Sequence, residues 1–225
     1  IRQIELDVFH DPQGGLYANH PVRTLFGEDA ASGITELDEP GLKVLHVQDI
    51  DYETTCYTFV RCLREIKSWS DAHPDHLPIM VLVEAKDDEI PDPLNLNFVV
   101  PLEFGIEALN AIDTEIRSVF SQEQLIVPDD VRGDFATLEA AILTEGWPRL
   151  REARGRIMFA LDNGGDLRDN YIVGHTSLAG RVLFDIVVAS IDVARRILGP
   201  ERELEPRFVW VPIDLANPLA VEALA

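Results

Sequence analysis

Hydrophobic residues in this chain come in short runs that end on a polar side chain, and the pattern recurs along its length. The runs are IELDVFHD (4–11), KVLHVQD (43–49), PIMVLVEAKD (78–87), RIMFALDNGG (156–165), RVLFDIVV (181–188) and RFVWVPID (207–214). Near-continuous apolar runs of this length fit strands buried on both faces of a parallel sheet. Between them lie stretches with apolar positions at helical spacing. They are TFVRCLREIKSWSDAH (58–73), LEFGIEALNAIDTEIRSVF (102–120), DFATLEAAILTEG (134–146) and ASIDVARRILG (189–199), the last two closed by Gly146 with Pro148 and by Gly199-Pro200. Strand–helix alternation predicts an α/β fold, either a (β/α) barrel or a doubly wound sheet.

The placement of polar residues favours the barrel. His46, Glu84, Lys86, Asp162, Asp185 and Asp214 fall at or just past the C-terminal ends of different predicted strands. In a (β/α)8 barrel the reactive residues are drawn from several strand ends on that one face. No GxGxxG or GxxxxGK[ST] loop follows any strand, so nucleotide binding has no support. The expected architecture is a TIM (β/α)8-type barrel forming a single domain over residues 1–225. The chain begins inside a strand, so a strand before it is expected to be missing, and the C-terminal part is expected to be atypical.

Two acids stand out in the first run. Residues i and i+2 of a strand project to one side, about 7 Å apart along the chain, so Glu5 and Asp7 share a face while Ile4, Leu6 and Val8 share the other. Carboxylates at that separation can converge on one cation, and without one they repel each other. A solvated edge strand explains the same pattern without any cation. Glu84 and Lys86 repeat the i, i+2 geometry after a run too apolar for a solvated strand, which points them into a polar cavity. His46 ends its run as an acid or base able to work near neutral pH. Asp162-Asn163-Gly164-Gly165 also reads as a plain turn. His10, His20, His73, His76 and His175 show no metal spacing and receive no role.

Charge narrows the partners. The 225 residues carry 19 Lys and Arg against 40 Asp and Glu, a formal −21. Such a balance excludes a nucleic-acid surface and disfavours lasting adhesion to an anionic membrane, leaving at most transient membrane contact. It suits a hard cation such as Ca²⁺. No apolar run reaches the roughly 18–20 residues of a membrane-spanning helix. The cysteines, Cys56 and Cys62, are too far apart to be bridged within one regular helix. A bond becomes feasible if Cys56 precedes the helix and Cys62 lies in its first turns, contributing about 2 kcal/mol. Two reduced core thiols fit the spacing equally well.

Over residues 2–184 the chain resembles the bacterial calcium-dependent phosphatidylinositol-specific phospholipase C-like phosphodiesterases. The likeness rests on RQIELDVF–DP–GG–LYAN, KVLHVQDIDYETTC–TF–CLREIKSWSDAHPDHLPI and VLVEAKDD, and continues through DTEIRSVFSQEQLIVPDDVRGDFATLEAAILTEGWPRL, RGRIMFALDNGG and GHTSLAGRVLF. The resemblance implies a TIM barrel, Ca²⁺ as cofactor and Glu5, Asp7 and Glu84 as its ligands. It implies His46 as a catalytic residue, with Lys86 at the substrate; Asp162, at the end of its run, is a further substrate-binding candidate. The implied chemistry is attack of the inositol 2-hydroxyl on a phosphodiester, giving a cyclic phosphate that water opens. A monomer acting on a phosphoinositide or related headgroup follows, secreted or periplasmic, and export favours a Cys56–Cys62 disulfide.

The chain departs from the family pattern in two ways. The GTHNSY-like segment, with the family's other catalytic histidine, is not in this sequence, and the likeness fades beyond Phe184. The fifth-strand lysines of eukaryotic phospholipases C have no counterpart at Ala160-Leu161-Asp162, against a polyphosphorylated headgroup. The competing expectations are a glycerophosphodiester phosphodiesterase-like enzyme, and a catalytically incompetent or engineered barrel that keeps the cation site.

Overall fold

The computed structural model describes residues 3–185. The run at 207–214 with Asp214 and the helix expected at 189–199 lie outside them. The strands are β1 (Gln3–Phe9), β2 (Lys43–Val44), β3 (Ile79–Ala85), β4 (Leu125–Ile126), β5 (Ile157–Leu161) and β6 (Leu183–Asp185). The helices are α1 (Phe59–Ala72), α2 (Ile106–Val119), α3 (Pro128–Arg132), α4 (Leu138–Glu145), α5 (Leu150–Ala153) and α6 (Gly165–Ile172). Strands β1, β3, β5 and β6 run parallel, as buried strands linked by helical crossovers must. Short β4 pairs with the N-terminal half of β5, and β6 pairs with its C-terminal half along the same edge.

Apolar residues on one face of the sheet meet the helices. Leu6, Val8, Val81, Val83, Phe159 and Leu161 share a single core with Phe59 and Leu63 of α1 and Leu109, Ile112 and Ile116 of α2. Each fully buried side chain of this kind contributes about 1.5–3 kcal/mol. Thr58 starts α1 by accepting a hydrogen bond from the Arg61 N–H at 3.3 Å. At the far side, buried Asp113 of α2 accepts from the Tyr171 hydroxyl at 2.6 Å and faces the Arg181 guanidinium, which ties α2, α6 and the approach to β6 together.

The α/β alternation is as expected, and among the described residues the sheet runs in the order β2-β1-β3-β5 with β4 and β6 beyond, without a closed ring of strands. One expectation is corrected. The run KVLHVQD is not a parallel core strand. Only Lys43–Val44 pair, and they pair antiparallel to Val8–Phe9. The reason is local chemistry. Lys43 is fully buried, with its ammonium 3.3 Å from Asp11 and bonded to the carbonyls of Glu39 and Gly41. Leu45 joins a small second core with Phe9, Tyr17, Leu37 and Tyr52. Val44 still packs in the main core, whereas Leu45 anchors loops.

Candidate metal centre

The polar face of the sheet carries a row of acids whose alignment follows from strand register. Asp7 pairs with Glu84 across β1 and β3, and Val83 pairs with Leu161 across β3 and β5. Asp162 follows Leu161 as Glu84 follows Val83, so Asp7, Glu84 and Asp162 stand side by side on three adjacent strands. The Asp162 N–H continues the ladder to the Val83 carbonyl at 2.9 Å. Neighbouring strands lie about 4.8 Å apart, which sets the spacing of the row. Glu5 lies one step along β1 on the same face, and Lys86 one step past Glu84.

Ligand oxygens of Glu5, Asp7 and Glu84 all fall within 4.8 Å of one another. Glu5 is exposed, and Asp7 and Glu84 are half-buried. Oxygens held about 2.3–2.6 Å from one ion stand up to about 5 Å apart, so these three fit around a single Ca²⁺ with the strands as they are. The donor set, all carboxylate oxygen, suits a hard cation rather than a thiolate- or imidazole-seeking metal. These residues would hold the ion that the resemblance implies.

The remaining groups respond to this concentration of charge. Burial first, then the negative charges of Glu84 and Asp7, hold the Asp162 carboxyl above the ordinary range for aspartate. The Lys86 ammonium lies 3.0 Å from Asp7 and 3.4 Å from Glu84. Burial acts to lower the Lys86 pKa, but the bond to Asp7 and the charges of both acids outweigh it, and the pKa lies above that of an ordinary lysine.

His46 sits on a turn, not at the end of a core strand, and its side chain is exposed. The turn is closed by paired main-chain bonds between Val47 and Asp51, with Asp49 at a positive φ of 66°. Gln48 donates to the Asp88 carbonyl at 2.9 Å and Asp49 accepts from the Val99 N–H at 2.7 Å, which fasten the turn to the loop after β3. The Leu45 N–H reaches the Asp7 carbonyl at 3.3 Å, and Lys86 Nζ donates to the His46 carbonyl at 3.3 Å. His46 thus comes to the acidic row through its backbone. Its ring Nδ1 lies 2.6 Å from Asp51 Oδ2. At the end of the same loop the sulfurs of Cys56 and Cys62 are bonded, joining it to the first turns of α1.

Two neighbours of the site escaped the reading of the sequence. Asp51, the partner of His46, has no spacing signal, since five residues apart on a turn is no regular period. Asn163 looked like part of a turn, yet its amide accepts from Ala85 N–H at 2.8 Å and donates to the Ala85 carbonyl at 2.9 Å. It extends the β3–β5 pairing beyond the strand ends and so holds Glu84 level with Asp162. Asp185, expected among the strand-end acids of the site, pairs with Leu161 and so projects to the opposite face, where Arg168 Nε donates to it at 2.5 Å.

Residues 1–194 match the sequence profile of the phosphoinositide phospholipase C, Ca²⁺-dependent, family. The chain belongs to that family. Solved phospholipases share the fold. The calcium-dependent phosphoinositol-specific phospholipase C of a Pseudomonas species is 18% identical, with a TM-score of 0.52 over 82% of this chain and 55% of that one. The Ca²⁺-dependent phosphatidylinositol-specific phospholipase C of Streptomyces antibioticus is 19% identical, with a TM-score of 0.53 over 82% of this chain and 56% of that one. A myoinositol complex of the Pseudomonas enzyme aligns equally, at 18% identity and a TM-score of 0.53 over 82% of this chain and 55% of that one. This phospholipase C-family chain therefore spans a little over half the length of those structures. Among curated proteins none matches it. No helix among the described residues is long and apolar enough to cross a membrane.

Proposed function

We propose that this chain carries the Ca²⁺ site and part of the acid–base apparatus of a phosphodiesterase that cleaves phosphatidylinositol-type diesters through a cyclic inositol phosphate. The observation that supports this reading most is the convergence of Glu5, Asp7 and Glu84 in a member of a Ca²⁺-dependent family. When bound, Ca²⁺ neutralises charge on the phosphoryl oxygens and acidifies the attacking hydroxyl. The protein's own residues supply positioning and protons. Nδ1 of His46 donating to Asp51 leaves Nε2 as the atom that gives or takes a proton at the phosphate. Lys86 adds a donor cation for a phosphate oxygen, and Asp162, next to Glu84 across the β3–β5 pairing, offers a carboxyl to hydrogen-bond a headgroup hydroxyl. The Cys56–Cys62 bond braces the loop that presents His46, as suits an exported protein.

The test combines binding with turnover. Calorimetry with CaCl₂ should give one site in the parent chain and at least a tenfold weaker one in Glu5→Gln, about 1.4 kcal/mol or more. Phosphorus NMR on phosphatidylcholine vesicles containing phosphatidylinositol should show a cyclic inositol phosphate with CaCl₂ and none with chelator. Loss of that product in His46→Ala with Ca²⁺ binding retained would assign the histidine to the chemistry. Full Ca²⁺ affinity in Glu5→Gln would sink the cation site, and cleavage of glycerophosphoinositol without a cyclic product would replace the lipid with a glycerol diester.

A further inference from the structure

Two of the three acids that converge for a cation already share a cation of the protein's own. Lys86 Nζ lies 3.0 Å from Asp7 Oδ2 and 3.4 Å from Glu84 Oε2. Its position is set by backbone, not by chance contact at the surface. Lys86 continues β3 two residues past Glu84, with its N–H bonded to the Val8 carbonyl at 2.9 Å, so the two side chains rise from the same face. The ammonium makes a third bond, to the His46 carbonyl at 3.3 Å. An oxygen that donates its charge to Lys86 is a poorer ligand for a divalent ion, and an ion held by Asp7 and Glu84 repels an ammonium a few ångströms away.

We propose that Lys86 competes with the divalent cation for Asp7 and Glu84, setting the affinity of the site and, through its bond to the His46 carbonyl, coupling cation binding to the His46 turn. This rests on the cation-site reading above and adds to it. The charge balance is consistent with such a role. Removing the lysine makes the row more negative by one charge, which favours higher-valent ions the more. When the cation holds the carboxylates, the displaced ammonium is left at the rim of the site as a donor for an anionic ligand.

The experiment compares the parent chain with Lys86→Met, Lys86→Gln and Lys86→Arg at one pH, titrating CaCl₂ by calorimetry and TbCl₃ by luminescence. Both uncharged variants should bind Ca²⁺ about tenfold more tightly, with a larger gain for Tb³⁺, whereas Lys86→Arg should stay within about threefold of the parent. In EDTA the uncharged variants should melt below the parent, and CaCl₂ should raise their Tm by more than it raises the parent's. Lys86→Gln keeps a hydrogen-bond donor and provides a second uncharged variant should the methionine chain not fold. Backbone amide shifts of residues 45–51 should move on adding CaCl₂ to the parent and move less in Lys86→Gln. Unchanged or weaker Ca²⁺ binding in both uncharged variants, with Glu5→Gln still defective, overturns the role of Lys86 and leaves the cation site standing. Absence of Ca²⁺ binding in the parent and every Lys86 variant overturns both.

Discussion

The acidic row and the His46 turn meet at the same end of the sheet, but they are held there by different forces. Asp7, Glu84 and Asp162 each occupy one position on a parallel strand, and main-chain ladders between β1, β3 and β5 set their spacing. His46 has no such ladder. Its turn depends on side-chain bonds from Gln48 and Asp49, on the buried Lys43–Asp11 pair behind it, and on a disulfide at its far end. Half of this candidate site stands on paired strands, and half stands on a loop that leaves the His46 ring exposed.

The largest expected effect comes from breaking the loop's anchor. Asp11→Ala leaves the fully buried Lys43 ammonium with backbone carbonyls alone and should cost about 3–5 kcal/mol in urea denaturation. If the two regions are independent, folded Asp11→Ala protein retains its Ca²⁺ affinity. A collapse of that affinity would show that row and turn form one unit.

Glu115 offers a pH test of the same anchor. It accepts from the Leu42 N–H at 2.9 Å, beside Lys43, and its pKa is raised from 4.5 to about 7, by burial against the opposing pull of that bond and of Lys43. A raised carboxyl stabilises the fold below its unfolded value and loses that contribution as pH climbs through the folded one. Stability should therefore fall between about pH 4.5 and 7, by about 2–3 kcal/mol at 1.36 kcal/mol per unit. Glu115→Gln keeps the acceptor and should flatten this slope; an unchanged slope would assign it to other groups.

The smallest effect sharpens the strand side of the comparison. Asn163→Ala removes both amide bonds to Ala85 and should cost about 1–2 kcal/mol. It should also weaken Ca²⁺ binding, by about tenfold, because Asp162 and Glu84 lose their common brace. Unaltered affinity would mean that the ladder alone keeps the row level.

How far each feature could be read from the chain follows this division. The strand at 3–9 and the helices at 59–72 and 106–119 were legible from their period, and the strands at 79–85 and 157–161 as short apolar runs ending on a polar residue. The shared face of Glu5 and Asp7 was legible from the strand period. The run at 43–49 misled because Lys43 and Leu45 are buried among loops, and burial alone does not distinguish a core strand from a packed turn. The short strand at Leu125–Ile126 gave no period at all, being too brief to show one. The strand order, too, was beyond local reading, since a run of apolar residues does not say which strands it joins.

The amino-acid sequence by itself determined which residues of this phospholipase C-family chain are acidic, which of them share a strand face, and roughly where the main helices lie. Only the tertiary structure decided that Asp7, Glu84 and Asp162 stand in one row, that Lys86 reaches Asp7 and Glu84 together, and that Asp51 rather than a strand partner meets His46. Side-chain alternation is a property of each strand alone, whereas register and turn closure arise from main-chain bonds and burial between segments far apart in the chain.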